Sequence, residues 1–231
     1  MTTANTSIKV EGLPPLIINP DPKALLPVLQ PHVYRSRTFG HMLKHPLVVQ
    51  VPLYSADMAN KIYTRKVELV EGLLAKGEYD HALQIYERFC RLTMLHEWFT
   101  EGRLKLPMLR KCLRFAWTDT EDPPYEEALE MFIAAGYTSD KHRRLKGTLT
   151  LYRGDSTERY NMEWSLSRKT AEWFARRFDC KTPVLAITEI DASKALAYLT
   201  NRGEEEVIVN PADIGDVKFV RLDTIKREKS E

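Results

Sequence analysis

The side chains best suited to chemistry lie in three short segments of the last third of the chain. The segments are Leu151-Tyr152-Arg153-Gly154, Trp164-Ser165-Leu166-Ser167 and Arg202-Gly203-Glu204-Glu205-Glu206-Val207-Ile208-Val209. They combine an arginine at the end of a predicted strand, two serines before a predicted helix and paired carboxylates at the start of another strand. Such a set can bind an anionic cofactor and stabilise positive charge that develops on a sugar. The order and spacing of the three segments, more than any one of them, favour this chemistry.

Arg153 continues a strand face that otherwise carries Leu149 and Leu151, because side chains alternate along a strand. A guanidinium on an apolar face needs a partner, since its desolvation is costly. A phosphate is a good partner, because the planar guanidinium can bind two oxygens at once. The alternative is an arginine that reaches solvent or pairs with a nearby acid.

Two serines precede a predicted amphipathic helix over residues 168–178. Ser167 is placed as the N-cap of this helix. Ser165 then has no structural task of its own, and we expect it to orient another side chain by hydrogen bonding. Catalysis by a nucleophilic serine is excluded, because there is no Gly-x-Ser-x-Gly segment and His142 is the only histidine after residue 137.

The acidic run is the most informative of the three segments. The sequence predicts a strand over residues 204–209 in which Glu204 and Glu206 project to one face, roughly 7 Å apart, and Glu205 to the other. Paired carboxylates serve reactions in which one stabilises a cationic sugar centre and the other takes the proton of a nucleophile. The alternative is a solvated acidic turn. Because the run leads directly into an apolar strand, we expect at least one of the acids to lie near the core.

In this order the three segments resemble the R-S-E class of ADP-ribosyltransferases, a group of toxins, phage enzymes and eukaryotic ectoenzymes. The matching stretches are LYRG, WSLSRKTAEWFA and RGEEEVIVNP, and the resemblance covers roughly residues 145–222. The middle stretch departs from the family's Ser-Thr-Ser, because Leu166 stands where the family has threonine.

The resemblance implies an NAD-dependent mono-ADP-ribosyltransferase that releases nicotinamide, with NAD as co-substrate and no metal. It implies that Arg153 binds the pyrophosphate and that Ser165 holds Glu206. Glu206 would bind the ribose 2′-hydroxyl and stabilise the oxocarbenium-like transition state, and Glu204 would position or deprotonate the acceptor.

The resemblance also implies an aromatic side chain that stacks on nicotinamide. The candidates are Trp173, Phe174 and Phe178, of which Trp173 lies off the apolar stripe of its helix. We further expect Tyr152, Gly154 and Ser167 to line the cofactor pocket.

The acceptor is less defined than the cofactor. In the family, Glu-x-Glu accompanies guanidinium acceptors, which favours protein arginine. Residues 141–181 contain eleven Lys/Arg against five Asp/Glu, whereas residues 1–139 contain sixteen of each, so RNA or DNA stays open as the acceptor. Two further interpretations are a catalytically inactive interaction module and a toxin or phage effector that an antitoxin or inhibitor protein binds.

The patterning along the chain predicts an α+β protein with three regions. Residues 1–52 are rich in proline and predict an extended arm, residues 53–137 predict a helical region, and residues 138–231 predict a β-rich, ADP-ribosyltransferase-like catalytic module. The predicted strands of the module span residues 147–153, 184–190, 195–199, 204–209 and 217–222.

The cysteine content and the apolar runs of the chain bear on its cellular compartment and on whether it binds structural zinc. The three cysteines are odd in number and far apart, which argues against a disulfide framework and for a reducing compartment. No Cys-x-x-Cys pair occurs, so no structural zinc is expected. No apolar run approaches the length that spans a membrane. We therefore expect a cytoplasmic protein without a membrane partner.

Overall fold

The computed structural model describes residues 6–8, 16–18, 20–120, 123–141, 144–177, 182–201 and 203–222. Within these residues the chain forms six α-helices, a seven-stranded sheet, a three-stranded sheet and a pair of short strands. It is therefore a mixed α and β protein, as the sequence predicts at that level. The chain divides into two compact units, residues 1–94 with 120–122 and residues 95–119 with 123–231.

The strands of the first unit form two small antiparallel groups. β1 (Thr6–Ile8) pairs with β2 (Leu16–Ile18), and β3 (Val33–Ser36), β4 (Gly40–His45) and β5 (Val48–Gln50) form a sheet in that order. Residues 33–50, which the sequence predicts as part of an extended arm, thus form a sheet. They do so because alternate residues, Leu43 and His45 on one strand and Val48 and Gln50 on the next, are buried. Residues 1–5, 9–15 and 19 of the predicted arm lie outside the described residues.

Two helices complete the first unit. α1 (Ala56–Ala75) begins at Ser55, whose hydroxyl accepts a hydrogen bond of 3.1 Å from the amide of Met58. It ends before Gly77, which takes a φ of +73°, the left-handed conformation in which glycine commonly ends a helix. α2 (Tyr79–Ile85) is separated by a short 3-10 turn from α3 (Arg91–Thr100), and the division between the two units falls within α3.

Helices α4 (Leu106–Thr118) and α5 (Tyr125–Ala135) belong to the compact unit that contains the large sheet. The sequence assigns both to the helical region 53–137. Pro107 lies in the first turn of α4, where the missing amide hydrogen removes no helical bond. α5 ends at Gly136, which has a φ of +65°.

The large sheet has the strand order β12-β9-β7-β8-β11-β10-β6, and every neighbouring pair is antiparallel except β10 with β6. Its strands are β6 (Thr138–Ser139), β7 (Thr148–Asp155), β8 (Glu163–Ser165), β9 (Val184–Asp191), β10 (Ala195–Leu199), β11 (Glu206–Val209) and β12 (Lys218–Arg221). α6 (Arg168–Arg176) connects β8 to β9. The predicted strands are found within two residues at each end.

The two faces of this sheet have different surroundings. One face carries an apolar core that includes Leu151, Trp164 and Val207. Side chains alternate along a strand, so Tyr152, Ser165 and Glu206 project from the other face. That face is the one to which side chains of α4 and α5 reach and against which α6 packs. No helix in the described part of the chain is long and apolar enough to cross a membrane.

Candidate functional site

The three sequence segments meet in one row across the sheet. Tyr152 on β7 pairs directly with Ser165 on β8, and Ser165 pairs with Glu206 on β11. Direct cross-strand partners project to the same face, and adjacent strands are about 5 Å apart. The fold therefore brings Glu206, Ser165 and the strand that carries Arg153 into neighbouring positions, although the sequence separates them widely.

Ser165 connects two loops at the end of β8. Its hydroxyl donates a hydrogen bond of 2.6 Å to the carbonyl oxygen of Glu204 and accepts one of 3.0 Å from the amide of Ser167. The side chain is 8% exposed. The sequence predicts that Ser165 orients a side chain by hydrogen bonding, but this hydroxyl orients the backbone of the segment that leads into Glu206.

Glu206 is the first residue of β11 and is half-buried. Its Oε1 accepts a hydrogen bond of 3.1 Å from the indole Nε1 of Trp117, which is the penultimate residue of α4. Trp117 is 5% exposed, so the bond forms where water competes little. This contact fixes the direction of one carboxylate oxygen.

The acidic run does not form the regular strand that the sequence predicts. β11 begins only at Glu206, and Glu205 has a φ of +49°, in the left-handed region. A left-handed residue breaks the alternation of side chains, so Glu204 and Glu206 do not occupy equivalent positions on one strand face. The turn is held by the amide of Leu166, which donates a 3.0 Å hydrogen bond to the carbonyl oxygen of Glu205.

Arg153 lies where β7 and β8 separate. The two strands pair only at Tyr152 and Ser165, and the guanidinium reaches across the gap beyond this pair. Its Nη1 donates to the carbonyl oxygen of Glu163 at 3.1 Å and to Oε2 of Glu163 at 2.8 Å, and its Nη2 lies 3.6 Å from Oδ2 of Asp155. The sequence left open whether Arg153 binds a phosphate, reaches solvent or pairs with a nearby acid, and the structure contains the pairing with acids.

The carboxylate of Glu163 also binds α5. Its Oε1 accepts a hydrogen bond of 2.6 Å from the hydroxyl of Tyr125. Burial first, and the negative charge of Glu163 second, raise the pKa of Tyr125 above its ordinary value. The phenol therefore keeps its proton and acts as a donor at neutral pH. Glu163 thus has a donor on each carboxylate oxygen, and it is 21% exposed.

A continuous set of contacts joins Arg153 to Glu206. It runs from Arg153 through Glu163 to Tyr125, whose ring lies edge-on to that of Trp117 with 6.5 Å between the centroids, and Trp117 binds Glu206. We call these five residues the polar-aromatic chain. It is the arrangement by which the two charged groups singled out in the sequence are held in relation to each other.

Two of the three residues expected to line a cofactor pocket, Ser167 and Gly154, have clear structural tasks. Ser167 is the N-cap of α6, and its hydroxyl accepts a hydrogen bond of 3.2 Å from the amide of Thr170. Gly154 faces α6 so closely that an added Cβ would overlap the carbonyl oxygen of Ala171. Tyr152 is half-buried in the row with Ser165. For Ser167 and Gly154, capping and packing account for the residue type without a ligand.

The aromatic candidates on α6 differ in exposure. Trp173 is 62% exposed, which agrees with its place off the apolar stripe. Phe174 is half-buried, with its ring centroid 5.0 Å from that of Trp173. Phe178, the third candidate, lies outside the described residues.

The sequence motifs do not include three members of the polar-aromatic chain, Trp117, Tyr125 and Glu163. Strand alternation could have indicated Glu163, because it precedes Ser165 by two residues on β8 and so projects to the same face. Trp117 lies at the end of α4 and Tyr125 at the start of α5, both within the predicted helical region 53–137. Nothing local indicates which strand those helix ends contact.

The arrangement combines a carboxylate that can stabilise positive charge with a guanidinium that can bind an anion. Among the described residues, no group of three or more His, Cys, Asp or Glu side chains is placed to hold a metal ion. A carboxylate with one oxygen held by a buried indole can face developing positive charge without reorganising. The guanidinium of Arg153 keeps a buried Nε–H that has no hydrogen-bond partner among the described residues, so its contacts with Glu163 and Asp155 do not use all of its donors.

Comparisons of the chain with models of known protein families, with curated proteins and with solved structures find no match.

Proposed function

We propose that this protein is an NAD-dependent mono-ADP-ribosyltransferase that transfers ADP-ribose to a macromolecule and releases nicotinamide. The observation that carries the proposal is the row Tyr152, Ser165 and Glu206, with Arg153 next to it on β7. Three segments that resemble the R-S-E class in sequence thus come together in space. An accidental resemblance would not require them to meet.

In the proposed reaction the bond between nicotinamide and C1′ of the ribose breaks, and nicotinamide leaves with the electron pair. The positive charge left on the sugar is stabilised by the carboxylate of Glu206. Trp117 acts as a positioning residue, because its indole N–H holds Oε1 of Glu206. The acceptor then supplies the electron pair for the new bond to C1′ and loses a proton, for which Glu204 is the proposed base.

Arg153 is proposed to bind a phosphate of NAD. In this structure its guanidinium contacts two carboxylates, those of Glu163 and Asp155. A phosphate oxygen must therefore share the guanidinium with these groups or displace one of them. A guanidinium has several N–H donors, so it can bind two partners at the same time. We propose that Glu163 keeps its contact with Arg153 while a phosphate binds the remaining donors.

The acceptor is proposed to be the guanidinium of a protein arginine. The support is the carboxylate of Glu204 two residues before Glu206, which the resemblance associates with guanidinium acceptors. Glu204 is half-buried, and its carbonyl is bound by Ser165, so its segment is fixed to the same site. A nucleic-acid acceptor is the alternative that the basic composition of residues 141–181 keeps open.

One observation favours a second candidate, a non-catalytic interaction module. The group proposed to bind the cofactor is already neutralised by two acids of the chain itself. Nicotinamide release by the purified protein separates the candidates, because sustained release requires turnover. A module would bind its partner and release none.

The proposal is tested with NAD labelled in the adenylate half. Glu206→Gln keeps the size of the side chain and an oxygen for Trp117 but removes the charge, and we expect transfer to fall by at least about 100-fold. The matched control is Glu205→Gln, one residue away and exposed, which should transfer label at the wild-type rate. Wild-type levels of transfer in Glu206→Gln would show that the assignment is wrong.

A further inference from the structure

The exposed side of α6 carries an unusual residue. Trp173 is 62% exposed, whereas Trp98, Trp117 and Trp164 are 3%, 5% and 2% exposed. Tryptophan has the largest apolar surface of any side chain and is highly buried on average. An indole that stands in solvent offers a flat surface on which another ring can stack.

Two cations lie close to this indole in the chain, one within α6 and one at its C-terminal end. Lys169 lies four residues before Trp173, the spacing of neighbours on one helical face, and Arg177 is the C-cap residue that follows the last turn of α6. Both are exposed. The guanidinium of Arg177 lies 4.7 Å from the ring centroid of Phe174, and that ring contacts Trp173. The ring of Phe174 therefore contacts both the guanidinium of Arg177 and the indole.

The segment that contains these cations carries more positive than negative charge. Residues 168–177 contain four Lys/Arg and a single acid, Glu172. The carboxylate of Glu172 lies 2.8 Å from Nε of Arg168 and 3.5 Å from Nη1 of Arg176. Its charge is therefore compensated within the helix.

We propose that Lys169, Trp173 and Arg177, which we call the α6 face, bind a single-stranded nucleic acid. An unpaired base stacks on the indole, and phosphates on either side of that base bind the two cations. Single-strand binding depends on this combination of a stacking platform with cations that follow the backbone. In a duplex the faces of the bases are covered by their neighbours, and an acidic peptide would use the cations but leave the indole without a partner.

This inference goes beyond the proposed transferase function and does not depend on it. The α6 face uses none of the residues assigned to the chemistry at Glu206. It gives a physical reason for the basic composition of residues 141–181. It also gives Trp173 a role other than stacking on nicotinamide, and the two roles make different predictions.

The test is binding of a fluorescently labelled oligothymidylate of about 15 nucleotides, measured by anisotropy at low and at physiological salt. Loss of one stacked base costs about 1–3 kcal/mol, so Trp173→Ala should weaken binding by about 5- to 150-fold, and Trp173→Phe by less. Lys169→Gln should lower the slope of log affinity against log salt by about one.

The matched controls are Phe39→Ala, which removes another exposed aromatic ring, and Lys218→Gln, which removes an exposed lysine of β12. Both should bind like the wild type.

Three results would overturn the inference. They are absence of binding by the wild type, equal binding by wild type and Trp173→Ala, and displacement of the oligonucleotide by NAD, which would place the indole in the cofactor cleft. Heparin serves as a second competitor for the oligonucleotide. If heparin displaces the oligonucleotide equally well from wild type and Trp173→Ala, and the two proteins bind the oligonucleotide equally, the surface binds polyanions in general. Glu206→Gln should bind the oligonucleotide like the wild type, so failure of the transferase proposal and failure of this one are separate outcomes.

Discussion

The indole Nε1 of Trp117 lies 3.1 Å from Oε1 of Glu206, although the two residues are 89 positions apart. The bond ties the end of α4 to the first residue of β11. It holds the carboxylate that is proposed to stabilise the sugar cation, and it is made by a residue that no sequence motif indicates. The orientation of this carboxylate therefore depends on how α4 packs.

Trp117→Phe should impair the chemical step more than cofactor binding. The substitution keeps an aromatic ring but removes the N–H, and a hydrogen bond to a charged group contributes about 1.5–3 kcal/mol. If between half and all of this free energy is used to position Glu206, kcat should fall about 4- to 150-fold, while KM for NAD changes little. Nicotinamide release as a function of NAD concentration measures both constants.

Trp164→Phe is the matched control for this experiment. It also removes an indole donor, which bonds the carbonyl oxygen of Asn161 at 3.0 Å, but Trp164 is in the core on the opposite face of the sheet. We expect both variants to lose stability in urea and only Trp117→Phe to lose kcat per folded molecule. Equal losses of kcat would mean that Trp117 acts through stability alone.

Glu163→Gln should strengthen the binding of NAD. The carboxylate of Glu163 lies 2.8 Å from Nη1 of Arg153, and both side chains are about four-fifths buried. Removing its charge leaves the guanidinium more positive, and a gain of about 1 kcal/mol corresponds to a KM lowered about 5-fold. The free energy of unfolding should fall by about 1–3 kcal/mol, because the ion pair is lost. Asp155→Asn, at 3.6 Å, is the control and should have the smaller effect on both quantities. A KM that rises in Glu163→Gln would show that the ion pair shapes the binding site.

Gly154→Ala should destabilise the protein strongly. An added Cβ would overlap the carbonyl oxygen of Ala171 and lie 2.5 Å from the amide nitrogen of Ala175, and both are backbone atoms that cannot rotate away. We expect a loss of about 3 kcal/mol or more, as for overpacked sites. Gly215→Ala is the control, because its added Cβ would meet no atom within 4 Å. Urea unfolding measures both, and equal stability of the two variants would mean that α6 does not pack tightly against β7.

The sequence predicted the elements of the site better than the contacts between them. Ser167 is the N-cap of α6, as expected, and α5 (Tyr125–Ala135) lies within the predicted helical region 53–137, because capping and periodicity are local signals. The strand over residues 204–209 begins two residues late, because the left-handed φ of Glu205 ends the alternation on which the prediction depended. No residue pattern marks Glu205 as left-handed, since the hydrogen bonds to this turn come from Ser165 and Leu166, which are distant in the sequence. Contacts such as those of Trp117 and Tyr125 depend on where helices pack, and periodicity does not specify that.

The stability of the first unit should depend on pH through His45. This imidazole is 8% exposed, and its Nδ1 accepts a hydrogen bond of 3.0 Å from the amide of Leu47. Burial, and then the neighbouring His32, lower the pKa of His45 from 6.5 to about 4. A lowered pKa in the folded state means that stability is complete above pH 6.5 and is lost as the pH falls through 4. The loss from this group is on the order of 3 kcal/mol by pH 4.

His45→Asn separates this contribution from the general effect of acid. The asparagine oxygen can accept the bond from Leu47 but does not titrate, so the free energy of unfolding should depend less steeply on pH between 7 and 4 than in the wild type. Urea unfolding at several pH values measures the slope. Parallel curves for the two proteins would mean that His45 is not held in its neutral form.

Glu205→Gly should stabilise the protein, although glycine usually destabilises. A residue other than glycine at a φ of +49° carries a strain of about 1–2 kcal/mol, whereas the extra freedom of glycine in the unfolded chain costs about 0.4–1 kcal/mol. The strain is the larger of the two, so we expect a net gain of about 0.5–1 kcal/mol in the free energy of unfolding. The bond from the amide of Leu166 to the carbonyl of residue 205 is made by the backbone and stays. Glu204→Gly is the matched control, because Glu205 is the one residue other than glycine with a positive φ in the described part of the chain. Glu204→Gly should lower the free energy of unfolding. A loss of the same size in Glu205→Gly would contradict the left-handed turn on which the position of Glu206 depends.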